Sequence, residues 1–366
     1  MNQPLTLPFY IKFTCILLSL ICIGVITYIG SNIITPVMLA FLFTVLLLPL
    51  HRLLHLKLRF PIYLASFITV TFFVLCIVAI LTFLSYQITD IANDFDIIKK
   101  NAISFFNNLQ SYIHEQFQIS VGEQKKYIEK VTNDSVQNGS GTLGTAIGSL
   151  SDVFFNCMLV VVFTFLFLLY KTHFILFLAK LFNKEDHEKL RKIITQIKIS
   201  INNYILGLIF EMLVVSILTG LGLWMTGVKY FILLGLMTGI LNLIPYIGIM
   251  IAGILTILSS LSGTPEISIF VSIIVVNIIV QLLDNNILVP LIINSKVKIN
   301  ALFSIIGIIV GGAVGGISGM FLAIPLLAIL KIIFDRIDYL EPWGYVIGNH
   351  MPEKFTWRIR KIKSEK

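Results

Sequence analysis

Two carboxylic acids, Glu211 and Asp284, sit inside stretches of the chain that are otherwise apolar enough to lie in lipid. An uncompensated charge at the middle of a bilayer costs about 2.5–3.5 kcal/mol on insertion scales, so something must offset it. Such an acid either takes part in proton or cation exchange, because burial changes its proton affinity enough to allow exchange near neutral pH, or is held neutral or hydrogen-bonded for packing alone. Gln281, Asn285 and Asn286 surround Asp284 with amides and strengthen its candidacy for ion or proton coupling, whereas Glu211 is more isolated. Two interruptions add a second kind of chemistry. One holds Asn242, Pro245, Tyr246 and Gly248; the other holds Gly311, Gly312, Gly315, Gly316 and Ser318. A proline or a glycine cluster in an apolar run bares peptide groups that hydrocarbon cannot satisfy, so these positions are candidates to face a small polar solute. Close helix packing is the other use of such small residues.

No catalytic set accompanies them. His51, His55, His114, His173, His187 and His350 are scattered, and no nucleophile motif or phosphate-cradling loop is present, so neither an enzyme nor ATP drive is expected, and no cofactor. Cys15, Cys22, Cys76 and Cys157 lie singly in apolar runs, which predicts four buried thiols and neither a disulfide nor a metal site.

The elements that must hold these residues follow from composition. The 366 residues are 57% hydrophobic and 13% charged, with mean hydropathy +0.93, too few charges to cover a water-soluble surface. The expected class is an all-α polytopic membrane protein with lipid as its surroundings, and the net charge of +8 is read by position rather than as a sign of nucleic acid. Phe9–Tyr28, Ile34–Leu50, Pro61–Leu84, Val153–Tyr170, Ile201–Met225 and Ile267–Leu288 have spanning length. The first lacks a small-residue cleavage site and reads as a retained span.

Two runs are too long. Tyr230 to Ser262 as one straight helix would reach about 50 Å against a hydrocarbon core of about 30 Å, and Ala301 to Phe334 has the same excess. Each carries its interruption near the middle. The reading is about six full spans plus two re-entrant hairpins, with eight full spans as the other solution. Basic residues discriminate between them: Lys296 and Lys298 fall on the cytoplasmic side only if both runs are hairpins, while Arg52, Lys57 and Arg59 and the tail from Lys354 to Lys366 are cytoplasmic either way. Both termini are then inside.

The expected organisation is a three-span scaffold over 1–84, an extracytoplasmic helical domain over 85–150, a fourth span with a cytoplasmic amphipathic helix over 151–200, a transport core over 201–340 and a basic tail over 341–366. In the outer domain Ile88, Ile91, Phe95, Ile98, Ala102, Phe105, Leu109 and Tyr112 recur every three or four residues, a stripe suited to packing within that domain or against another subunit. Asn133 to Gly148 reads as a flexible return. The apolar residues Phe174 to Phe182, among lysines, suggest a helix lying on the membrane surface, with a solvated charge run as the alternative.

Three blocks carry a family resemblance: Leu241-Asn242-Leu243-Ile244-Pro245-Tyr246-Ile247-Gly248, Leu283-Asp284-Asn285-Asn286-Ile287-Leu288-Val289-Pro290, and Gly315-Gly316-Ile317-Ser318-Gly319-Met320-Phe321-Leu322-Ala323-Ile324-Pro325-Leu326. Together with the order of spans they resemble the autoinducer-2 exporter family over nearly the whole chain. The resemblance implies a bacterial inner-membrane transporter, commonly a homo-oligomer, with some members linked to export of a small signalling molecule and others to sodium or lithium exchange for protons. One departure stands out. Where many members have Gly followed by Gln and small apolar residues, this chain has Gly207-Leu208-Ile209-Phe210-Glu211.

The expected function is therefore secondary transport of a small polar solute, with Na⁺ or H⁺ as a coupling ion. Sodium/proton antiport is the rival within that class, and a non-transporting membrane scaffold or sensor is the rival from outside it.

Overall fold

The computed structural model describes residues 8–94, 96–101, 103–104, 111, 142–243, 247–260, 267–290 and 299–349. Its elements are α1 (Phe9–Ile29), α2 (Ser31–Arg52), α3 (Ile62–Asn93), α4 (Thr142–Leu181), α5 (His187–Met225), α6 (Phe231–Asn242), α7 (Ile247–Ser260), α8 (Ile267–Leu283), α9 (Ala301–Phe334) and α10 (Glu341–Ile347). Among the described residues there is no named strand, and Ile299 and Gly348 form an isolated bridge. Among the described residues six helices are long and apolar enough to cross a membrane, and α1, with 21 residues, also has spanning length. Large apolar side chains cover the outside, for example Phe67, Leu75, Phe210 and Ile309. This is an all-α polytopic membrane protein.

Both over-long runs fold back. In the first, α6 and α7 have 12 and 14 residues, about 18 and 21 Å, so neither arm reaches across the hydrocarbon. Ile257, near the end of α7, packs against the same buried cluster as Tyr230, Phe231 and Leu234 at the start of α6, which places the arms antiparallel. In the second, α9 contains two residues with non-helical backbone, Gly315 (φ −127°, ψ 17°) and Gly316 (φ 58°, ψ −141°). The arms on either side, 301–314 and 317–334, lie against each other: a Cβ placed on Gly311 would sit 2.3 Å from the carbonyl oxygen of Gly319. The base of this hairpin is closed where the backbone N–H of Asn300 donates to Ile347 (2.9 Å) and the Asn300 amide to Val346 (2.6 Å).

A core cluster ties the second hairpin to the scaffold and to α5, joining Leu42 and Val45 of α2, Ile201, Tyr204, Ile205 and Leu208 of α5, and Leu322 and Ala328 of the returning arm; Leu243, beside the first hairpin's tip, packs against it. At the end of the bundle where α2 finishes, fully buried His51 donates through Nε2 to Ser66 of α3 (3.0 Å) and accepts at Nδ1 from Lys171 of α4 (2.9 Å). At the opposite end α3 continues as far as Asn93. There Asp94 accepts from Lys229 (2.5 Å) and from the Tyr230 hydroxyl (2.7 Å), and those two bonds hold its carboxyl below the usual carboxylate range.

Three expectations change. The residues Phe174 to Phe182 do not form a separate surface helix, because α4 is one unbroken helix of 40 residues that runs through them as far as Leu181. The polar return is helical from Thr142 onward. The four cysteines are free but exposed on helix surfaces: an apolar thiol is as compatible with lipid as with a protein interior. Of the outer-domain stripe, Ile88 and Ile91 lie on α3 and Ile98 alone has a described side chain, while Phe95, Ala102, Phe105, Leu109 and Tyr112 lie outside the described residues.

Candidate functional site

Glu211 lies in the apolar part of α5, and Asp284 opens a π-helical turn, Asp284–Leu288, that continues α8. Single π turns within helices are a recurrent feature of functional sites. Asn242 is the last residue of α6, where the chain stops being helical three residues before a proline. These three side chains are 31 and 42 positions apart in sequence, and the first hairpin brings them together. The Asn242 Nδ2 amide donates 3.2 Å to Glu211 Oε1 and 3.2 Å to Asp284 Oδ2.

The hairpin reaches this position because it packs backbone to backbone. A Cβ on Gly239 would lie 2.4 Å from the Met212 carbonyl oxygen, one residue from Glu211, so α6 can lie directly on α5. At the tip Gly248 is equally constrained: its Cβ would fall 1.7 Å from the Leu241 oxygen. No larger residue fits that turn.

Both acids are sealed from solvent, with Glu211 5% and Asp284 4% exposed. Their second oxygens, Glu211 Oε2 and Asp284 Oδ1, are buried without a hydrogen-bond partner, while the first oxygen of each accepts from the same amide nitrogen. Two 3.2 Å bonds to one nitrogen keep the two acids close, and like charges about 6 Å apart repel by about 2.5 kcal/mol at an effective dielectric constant of about 20. One amide cannot neutralise two carboxylates. The two unpartnered oxygens are the kind of donor that a proton or a small hard cation takes. Tyr204, two helical turns before Glu211, is buried on the same part of α5.

The other sequence candidates separate into three groups. Gln281 and Asn285 do not join the acids: among the described residues neither hydrogen-bonds to them, and Asn285 is exposed where its neighbour Asp284 is buried. Gly311 and Gly312 lie in the seam between the hairpin arms, against Gly319 and Met320, and serve packing. Gly315, Gly316 and Ser318 line a separate cavity of about 280 Å³ between the second hairpin's tip, the start of α2 and the early part of α4. Pro245 and Tyr246 lie outside the described residues.

Sequence reasoning missed the scaffold side of that cavity, made by Ser31, Asn32, Thr35 and Asn156. Ser31 and Asn32 fall between the spans Phe9–Tyr28 and Ile34–Leu50 read from the sequence, yet both belong to α2. The available signal was four polar residues in otherwise apolar elements.

Among known families, the profile described as AI-2E family transporter matches residues 17–338. The chain is 24% identical over 251 residues to the candidate transport protein YrrI of Bacillus subtilis (strain 168), covering 68% of this chain and 69% of that one. It is 28% identical over 260 residues to the candidate transport protein YueF of the same strain, covering 66% and 70%. A shorter match, 31% identical over 137 residues and covering 36% and 38%, joins it to the candidate permease PerM of Escherichia coli (strain K12).

Proposed function

The chain belongs to the AI-2E transporter family, and from that premise we propose that it is a secondary transporter whose movement of a small polar solute is coupled to a proton or sodium ion held between Glu211 and Asp284. The observation that carries this reading is the buried acid pair. A broken helix delivers one amide to both carboxylates and leaves one oxygen of each unpartnered. A structural acid pair would be expected to have all its oxygens satisfied. The lysine and arginine distribution supports a bacterial inner-membrane protein with both termini in the cytoplasm, the first hairpin entering from outside and the second from inside.

In this reading Asn242 changes partners as ion and solute exchange, and the second hairpin transmits the change. Its returning arm packs at once on α2, on α5 beside Glu211 and on Leu243 beside Asn242. Export is the direction this reading takes. Sodium/proton antiport without a further solute is the second reading, favoured by the same pair of free oxygens.

The test is ion-coupled flux in proteoliposomes holding the full chain, followed with a pH-gradient dye with and without sodium. Loss of coupling is expected in Asp284→Asn and in Glu211→Gln. Undiminished coupled flux in both variants overturns the assignment, and a sodium-driven proton signal without solute favours antiport. Deleting Asp90 to Gly141 separates both from a scaffold or sensor role, since flux that survives the deletion excludes that role.

A further inference from the structure

In lipid a serine or threonine normally ties its hydroxyl to its own helix. Thr44, Thr69, Thr164, Ser216, Thr238 and Thr256 all do so, each donating 2.6–2.8 Å to the carbonyl four residues back. The side chains around the 280 Å³ cavity, which is open to its surroundings at the exposed Asn32 and Gly316, do not. Ser31, Asn32, Thr35, Asn156 and Ser318 converge on it from three elements, and among the described residues none has a protein hydrogen-bond partner. Backbone groups add to them. Pro36, also in the wall, has no N–H to offer the carbonyl of Asn32 four residues earlier, and the non-helical Gly315 and Gly316 leave the helix ladder at the tip.

We propose that this cavity is a second binding site, shared between the scaffold and the second hairpin, for a small uncharged solute rich in hydroxyl or amide groups. The class follows from the wall. It contains no ionisable side chain, so a charged solute would be desolvated with no counter-charge. An apolar one would leave five polar side chains without partners. Asn32 and Asn156 each offer both a donor and an acceptor, and Ser31, Thr35 and Ser318 each a hydroxyl, a set matched to a molecule that does the same.

The site shares no residue with the acid pair, so solute and ion are bound at different places and the hairpin connects them. A Cβ on Gly315 would sit 2.9 Å from Thr35 Oγ1. The tip is therefore seated directly on the scaffold, and a solute in the cavity touches both the fixed and the moving part. This proposal rests on the transporter reading above for its role, but not for its existence.

The experiment uses the full chain in proteoliposomes with Cys15, Cys22, Cys76 and Cys157 replaced by alanine and Asn32→Cys added. Labelling by a membrane-impermeant maleimide is timed in ribitol, in glycerol and in gluconate, the last an anion of similar size to ribitol. The expected result is slower labelling in ribitol, by the factor 1 + [L]/Kd, about threefold at twice Kd, with no protection by gluconate. Asn156→Leu in the same background should abolish the protection while the labelling rate without polyol stays the same, which shows that the variant is folded. Thr35→Val provides an independent check. Absence of protection by both polyols, or equal protection by gluconate, overturns the site. Protection without any coupled flux would leave the site standing and sink the transporter reading, whereas flux lost in Asp284→Asn without polyol protection would do the reverse.

Discussion

Replacing Gly311 by alanine gives opposite signs in the two ways residues 301–334 could be built. In one continuous helix, alanine replaces the poorer helix former and the variant gains about 0.8–1.0 kcal/mol. In the hairpin, the new Cβ lies 2.3 Å from the Gly319 oxygen and 2.9 Å from its carbonyl carbon. Ordinary contact needs about 3.4 Å, so the arms must part by about 1 Å along their tightest seam, and overpacking of this kind costs about 1–3 kcal/mol. The other partner is backbone and cannot swing aside. Gly319→Ala makes the reciprocal clash, 2.0 Å from the Gly311 oxygen, and should cost a similar amount. Gly24 and Gly253, whose Cβ positions have nothing within 4 Å, are the controls and should become slightly more stable as alanine. Equilibrium unfolding in mixed micelles, followed by far-UV circular dichroism across a denaturant series, reads all four signs. Stabilisation in Gly311→Ala and Gly319→Ala of the same size as in the controls would refute the hairpin.

Three further outcomes follow from the geometry. Asn242→Leu leaves Glu211 Oε1 and Asp284 Oδ2 without their donor, and losing two bonds to buried carboxyls at about 1.5 kcal/mol each should lower ion affinity or stability by about 3 kcal/mol; isothermal titration with sodium chloride and unfolding measured side by side show which. Thr35→Cys with Gly315→Cys should form a disulfide spontaneously, since the Cβ positions are 3.8 Å apart, the usual separation of about 3.8 Å; the intact mass after alkylation reports it, and flux should stop when it forms and return on reduction. Asp94 is held ionised below the usual carboxylate range by Lys229 and Tyr230, so its tie to the start of α6 is fully present above the unfolded value of about 3.9 and fades as pH falls through the lower folded value; Asp94→Asn should remove that acid sensitivity, seen as hydrogen-exchange protection at Lys229 and Tyr230, taken relative to the intrinsic rate at each pH, that no longer changes below pH 4.

The hairpins were legible in the sequence because their evidence is one-dimensional: a run too long for lipid, with Pro245 or Gly315-Gly316 at its middle. The acids were legible singly, from the cost of placing Glu211 and Asp284 in apolar segments. Their meeting was not. It depends on Asn242, which read as a tip residue facing solute, and on Gly239 letting α6 press onto Met212, a contact that no spacing encodes. Gln281 and Asn285 looked like partners through proximity in sequence, but nearby positions on a helix face different ways, and among the described residues neither bonds to the acids. The apolar residues from Phe174 to Phe182 inside a basic segment suggested a surface helix, yet nothing before Leu181 breaks a helix, so α4 continues that far. Ser31, Asn32 and Asn156 were overlooked because a polar residue near a span's end has an ordinary use as a turn, and only the position of the second hairpin's tip gives them another.

The most direct test of the account is the sidedness of two single cysteines, Ser262→Cys and Ser295→Cys, in the cysteine-free background, labelled by an impermeant maleimide in intact cells and in inverted vesicles. Two re-entrant hairpins place the first outside and the second inside. Labelling of position 262 only from the cytoplasm and of position 295 only from outside would mean that both segments cross the membrane, and would contradict the account.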